Sequence, residues 1–209
     1  MSHLVLLGDS IFDNGTYVPG GPAVIEQVRT ALPASWQATL LAVDGNVTVD
    51  VARQLARLPE DATHLFVSVG GNDALGASGK LYQRAGTVAQ GLEVLHEIGR
   101  SFRRHYHAML QGVMATGKPA TVCTIYDAIP PLGRSERTAL SLFNDIISRE
   151  AFAAGLPLID LRLVCSDEQD YAAISPIEPS VTGGAKIAQA IVRVATTHNF
   201  RSGQSSVFV

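Results

Sequence analysis

Residues 4–15 read Leu4-Val5-Leu6-Leu7-Gly8-Asp9-Ser10-Ile11-Phe12-Asp13-Asn14-Gly15. The run Leu4–Leu7 is continuous in large apolar residues rather than alternating. That is how a strand covered on both faces of a parallel sheet reads. Four further runs share its character: Ala38–Val43, Leu65–Val69, Ala120–Ile125 and Leu156–Ile159. Amphipathic stretches lie between them. Val47, Val51, Leu55 and Leu58 repeat at helical spacing up to Pro59. Longer helical patterns cover about 88–114, 138–154 and 184–197, the first two closed by Gly117 with Pro119 and by Gly155 with Pro157. Strands alternating with helices make βαβ units, so the spacing predicts an α/β fold, a three-layer sandwich around a parallel sheet. No linker or internal repeat divides the chain. One domain is expected over residues 1–200, with a short flexible tail at 201–209.

Composition narrows the function classes. Hydrophobic residues make up 46% and charged residues 17%, an ordinary globular balance. A formal net charge of −3 gives no electrostatic case for nucleic acid or an anionic membrane. The one basic cluster, Arg100, Arg103, Arg104, His105 and His107, has the spacing of a solvated helix face. Cys123 and Cys165 form no disulfide framework and suit a reducing compartment. No apolar stretch reaches the roughly 18 residues of a membrane span, and Leu4–Leu7 is short for a signal peptide. A cytoplasmic protein without stable membrane association is expected. The His, Cys, Asp and Glu spacings make no metal-ligand set, and no phosphate-binding glycine loop occurs, so no cofactor is implied.

Ligands of such sheets bind beyond the carboxyl ends of the strands, and the residues there are the unusual ones. Ser10 follows the first strand, as an exposed nucleophile or as a plain N-cap. After the second strand comes Asp44-Gly45-Asn46, where a glycine could bring a backbone N–H close to a ligand or simply turn the chain. After the third comes Gly70-Gly71-Asn72-Asp73, a loop suited to aim an amide donor at a developing oxyanion, with a turn as the competing reading.

Taken together, Gly-Asp-Ser, a glycine after strand two and Gly-Asn-Asp after strand three resemble the SGNH/GDSL hydrolases. The order and spacing agree to about residue 195, including Ile125-Tyr126-Asp127-Ala128-Ile129-Pro130 after the fourth strand. The resemblance implies a five-stranded flavodoxin-like sheet and hydrolysis of an ester or related acyl bond in a small-molecule substrate. It makes Ser10 the nucleophile, with Ser10 N–H, Gly45 N–H and the Asn72 amide as the oxyanion hole. Asp9, Asp13 and Asn14 would brace the nucleophile turn by hydrogen bonds.

The pattern departs at the family's last motif, Asp-x-x-His-Pro. Here the stretch reads Ser175-Pro176-Ile177-Glu178-Pro179-Ser180. Glu178 stands in place of the base and Ser175 in place of its orienting acid. No other histidine offers itself. His198 lies about 24 Å along the last helix, His3 and His64 belong to the opposite edge, and His96, His105 and His107 to the long helix. The double exchange is coherent, because a glutamate that accepts a proton becomes neutral and needs no anion to steady it. An Asp three residues earlier would repel it, whereas a Ser hydroxyl can hydrogen-bond it. The expected protein is an ester hydrolase with Ser10 as nucleophile and Glu178 as base. Its rivals are a non-catalytic binding module that keeps the pocket, an acyltransferase on the same scaffold, and a flavodoxin-like nucleotide binder.

Overall fold

A computed structural model describes residues 1–209. In chain order the elements are β1 (Ser2–Gly8), α1 (Val24–Ala31), β2 (Trp36–Leu40), α2 (Val51–Leu55), β3 (His64–Ser68), α3 (Gly71–Ala77), α4 (Val88–Ala115) and β4 (Ala120–Cys123). They continue as α5 (Arg134–Ala153), β5 (Leu158–Ile159), α6 (Leu161–Val164), β6 (Tyr171–Ala172), β7 (Ser175–Pro179), α7 (Val181–Thr197) and β8 (Val207–Phe208). The main sheet runs β2-β1-β3-β4-β5-β8 with every pair parallel, and β6 and β7 form a separate antiparallel hairpin.

The continuous apolar runs are explained by two cores, one on each face. Leu4, Leu6 and Phe66 point into one core with Val24 and Val28 of α1 and Ile187, Ile191 and Val194 of α7. Val5, Leu7, Leu65 and Val67 point into the other with Phe102, Tyr106 and Leu110 of α4 and Phe143 and Ile147 of α5. Alternate residues of one strand thus serve opposite layers, and both must be apolar. This is the expected three-layer α/β/α sandwich.

The sheet has six strands where five were expected. The sixth comes from the end of the segment 201–209: Leu158 N–H donates to Ser206 O at 2.9 Å and Asp160 N–H to Phe208 O at 2.8 Å. β5 would otherwise expose an unpaired edge, and the apolar Val207-Phe208 pair covers it, with the Phe208 ring against His198. Helix α1 was not foreseen. It is eight residues long, and Val24, Ile25 and Val28 are its buried positions. The second strand ends at Leu40 rather than Val43, because Leu41 and Ala42 both donate to Leu6 O and leave the ladder.

β1 lies between β2 and β3, so the connections leave it in opposite directions. The crevice outside the carboxyl ends of β1 and β3 is the topological switch point, where open α/β sheets bind ligands.

Candidate active site

At the end of β1 the chain passes very close to β3. Gly8 has φ 127°, and a Cβ there would stand 1.8 Å from Ser68 O, so only glycine fits. Asp9 N–H donates to Ser68 O at 3.1 Å, and one helical turn follows, with Phe12 and Asp13 N–H both donating to Asp9 O. The Asp9 carboxylate closes the turn by accepting from Ile11 N–H at 3.1 Å. Ser10 therefore sits at the first position of a rigid turn. The Gly8 peptide is gripped by a residue that the sequence reading missed. Gln54 accepts from Gly8 N–H and donates to Gly8 O, each at 2.7 Å, and donates to Asn46 Oδ1 at 3.0 Å. Gln54 is buried only by the fold, and its local sequence does not mark it.

Asn72 belongs to the first turn of α3 and not to a loop, as the two glycines had suggested. Gly70, at φ 124°, turns the chain into that helix, and a Cβ there would press on Phe102 at 3.1 Å. The Asn72 amide donates to Asn46 O at 3.0 Å, and Asp73 Oδ2 accepts from the N–H and the hydroxyl of Thr48, both at 2.9 Å. The third motif thus clamps the segment that follows β2. Gly45 lies at the exposed tip of that segment with φ 78° and nothing within 4 Å of an added Cβ. It is no part of the cavity wall that carries Ser10 and Asn72.

Glu178 lies on β7, one arm of the hairpin with β6. Both of its neighbours are tied down: Tyr126 donates its hydroxyl to Ile177 O at 2.6 Å, and Asn14 donates its amide to Pro179 O at 3.0 Å. Asn14 also accepts from Val24 N–H at 2.9 Å, so it links the Ser10 turn to the Glu178 strand and to α1. Asp13 accepts from Asp44 N–H at 2.9 Å, and Tyr17 donates its hydroxyl to Asp44 at 2.7 Å.

The Glu178 side chain is 4% exposed. Burial raises its pKa above the ordinary value, the Asp44 charge adds to this, and the nearby Ser175 and Ser10 hydroxyls oppose it. Ser10 and Glu178 line the same cavity, and Glu178 Oε2 is buried without a hydrogen-bond partner. Asp9 is pushed up to about 7, chiefly by burial against the help of Ile11 N–H, with the charges of Asp73, Glu178 and Asp44 adding to the rise.

Asp9, Ser10, Asn72 and Glu178 all line one cavity of about 260 Å³. Its wall is mostly apolar: Leu75 and Leu81 close one side, Leu95 and Ile98 of α4 another, and Leu140 and Phe143 of α5 a third. No histidine lines it. His3 pairs with Asp61 and Thr39 at the amino end of the sheet, His64 packs on Trp36 and Phe200, His107 pairs with Glu150, and His198 packs on Phe200.

A family model described as the GDSL-like lipase/acylhydrolase family matches residues 6–186. The chain belongs to this family. Membership makes it a hydrolase-family protein, and the matched span holds the Ser10 turn, the Asn72 helix and the Glu178 hairpin. Solved structures show the same fold at low identity. A lipase from a goat rumen metagenome superposes with TM-score 0.72 at 19% identity, over 96% of this chain and 100% of that one. An α/β hydrolase enzyme from the metagenome of Lake Arreo gives 0.70 at 18%, over 95% and 96%. A variant acetyl xylan esterase from Geobacillus stearothermophilus gives 0.66 at 16%, again over 95% and 96%. Comparison with curated protein sequences gives no match. No helix is long and apolar enough to cross a membrane.

Proposed function

We propose that this GDSL-family protein hydrolyses esters with an apolar acyl part, using Ser10 as nucleophile and Glu178 as general base. One observation carries the reading. The Ser10 and Glu178 side chains converge on a largely apolar cavity of about 260 Å³ that holds no histidine. The acyl chain lies among Leu75, Leu95 and Phe143. Glu178 takes the Ser10 proton as Oγ attacks the acyl carbon. The oxyanion is met by Ser10 N–H and by the Asn72 amide once it leaves Asn46 O, with Gly45 too far out on its exposed segment to take the part first expected of it. Glu178 then returns the proton to the departing alcohol, and the acyl-enzyme is hydrolysed by a water that Glu178 activates in turn. A carboxylate raised by burial is a stronger base than a free one, which supports this role. Asp9, whose rise to about 7 keeps it largely protonated in mildly acidic solution, adds little repulsion to Glu178 there.

A second reading, a ligand-binding protein without turnover, draws support from the unpartnered Glu178 Oε2 and the engaged Asn72 amide. The test uses neutral p-nitrophenyl esters of graded acyl length together with organophosphonate labelling. Ser10→Ala should abolish turnover, and Glu178→Gln should lower kcat by at least about 10³ in a folded protein. The wild-type kcat/KM should rise with ionisation of a carboxylate whose midpoint lies above 4.5. Wild-type turnover in Glu178→Gln on a Ser10-dependent ester would remove Glu178 as base. Absence of both turnover and a Ser10 adduct would favour the binding reading.

A further inference from the structure

We propose that the site takes long acyl chains, whose inner part fills the Ser10 cavity and whose far part lies in a second groove, reached when the turn Ser78–Tyr82 swings aside. The inference rests on the ester-hydrolase reading of Ser10 and names the substrate class of that same site. The groove has a volume of about 440 Å³ and lies between that turn and the start of α4. Leu81 and Leu95 line both hollows, so they form the partition between them. Beyond the partition the groove is lined by Ala85, Val88, Leu92 and Val94, with Lys80 and Arg84 as its charged residues.

Two independent observations connect the groove to the cavity. Val88, Leu92 and Leu95 follow helical spacing and continue outward the same face of α4 that buries Phe102, Tyr106 and Leu110. Yet Val88 is 82% and Leu92 58% exposed, so this apolar stripe runs past the core with no protein to cover it. The wall in front of it is also free to move. No residue from 71 to 97 is buried, so displacing the turn leaves both cores closed. What ties the turn down is the Tyr82 hydroxyl, which donates to the Glu136 carboxylate of α5, and both residues line the Ser10 cavity. A short acyl chain ends inside the cavity with this latch shut. A longer one displaces Leu81, breaks the latch, and covers Val88 and Leu92 with its own far methylenes.

The experiment compares binding of hexan-1-ol and decan-1-ol, both neutral, to the full chain by titration calorimetry below their solubility limits. Decanol should bind about thirtyfold more tightly, since four further methylenes leave water while one surface hydrogen bond is lost. The double variant Val88→Ser, Leu92→Ser changes only exposed side chains of the groove. It should weaken decanol about tenfold and leave hexanol unchanged. Tyr82→Phe keeps the ring and removes the latch, so it should strengthen decanol about threefold, again without change for hexanol. Equal binding of the two alcohols, or a decanol-to-hexanol ratio that either variant leaves at the wild-type value or moves the other way, would overturn the proposal. Because the readout is binding, it stands apart from turnover. If no ester of any acyl length is hydrolysed, the Ser10 reading falls, and the ratio still decides the groove. If short esters are hydrolysed and the ratio fails, the groove alone falls.

Discussion

Asp9→Asn isolates the electrostatic strain beside Ser10. The Asp9 carboxyl is 2% exposed, accepts one hydrogen bond from Ile11 N–H, and is faced by Asp73, Glu178 and Asp44. Its pKa rises from 3.8 to about 7, so the folded protein holds this proton more tightly than the unfolded chain does. The contribution to stability is then fully present below about pH 3.8 and is lost as pH rises through about 7. The whole gap corresponds to about 4 kcal/mol, of which about 3 kcal/mol falls between pH 4.5 and 8. An amide at this position keeps the acceptor for Ile11 N–H and removes the titration. Urea unfolding of both proteins at pH 4.5, 6 and 8 should show the variant gaining about 3 kcal/mol on the wild type across the series. Glu178 shifts in the same direction in both proteins and cancels from the difference. A wild-type-to-variant gap that stays constant from pH 4.5 to 8 would refute the assignment of a raised pKa to Asp9.

Gly8→Ala places a methyl 1.8 Å from Ser68 O in a backbone conformation of φ 127°, so it should cost more than about 4 kcal/mol. Circular dichroism melts read this directly, and a Tm within two or three degrees of wild type would show that β1 and β3 can move apart. Asn72→Ala should lower kcat by about 10²–10³ with a smaller effect on KM. Near-normal kcat in the folded variant would leave the amide with no task beyond its bond to Asn46 O.

The sheet was legible because its strands are buried on both faces, which writes Leu4–Leu7 and Leu65–Val69 as uninterrupted apolar runs. Ser10 and Asn72 were legible because they follow those runs directly. The parts that were missed depend on partners far along the chain. β8 has two residues and exists through the edge that β5 offers it. Ser175–Pro179 holds two prolines and was not foreseen as a strand, yet it pairs with β6 as one arm of an isolated two-stranded hairpin, where prolines are tolerated. The task of Gln54 is set by Gly8, 46 residues away, and no local pattern announces it. The separation of Gly45 from the cavity wall likewise depends on the path of a whole segment rather than on its own turn.

Buried amides explain why the frame around Ser10 is stiff. Gln54 takes both polar groups of the Gly8 peptide, and Asn144 does the same for Ile125, donating to its carbonyl and accepting from its N–H at 2.8 Å each. Each amide satisfies a peptide that the sheet ladder leaves behind at the end of a strand. Removing Asn144 would strand both groups of Ile125, and removing Gln54 would strand Gly8 N–H while its carbonyl keeps Val43 N–H, at about 1–3 kcal/mol per stranded group. Asn14 and Tyr126 hold the backbone on either side of Glu178 in the same manner. With the chain pinned on both sides of the site, the proposed contact between Ser10 and Glu178 is made by side-chain rotation rather than by movement of a strand or loop. On the same proposal the Asn72 amide has only to exchange Asn46 O for the substrate oxygen. Contacts that tighten when a ligand arrives are what this frame permits, and the unpartnered Glu178 Oε2 is the buried group free to make one.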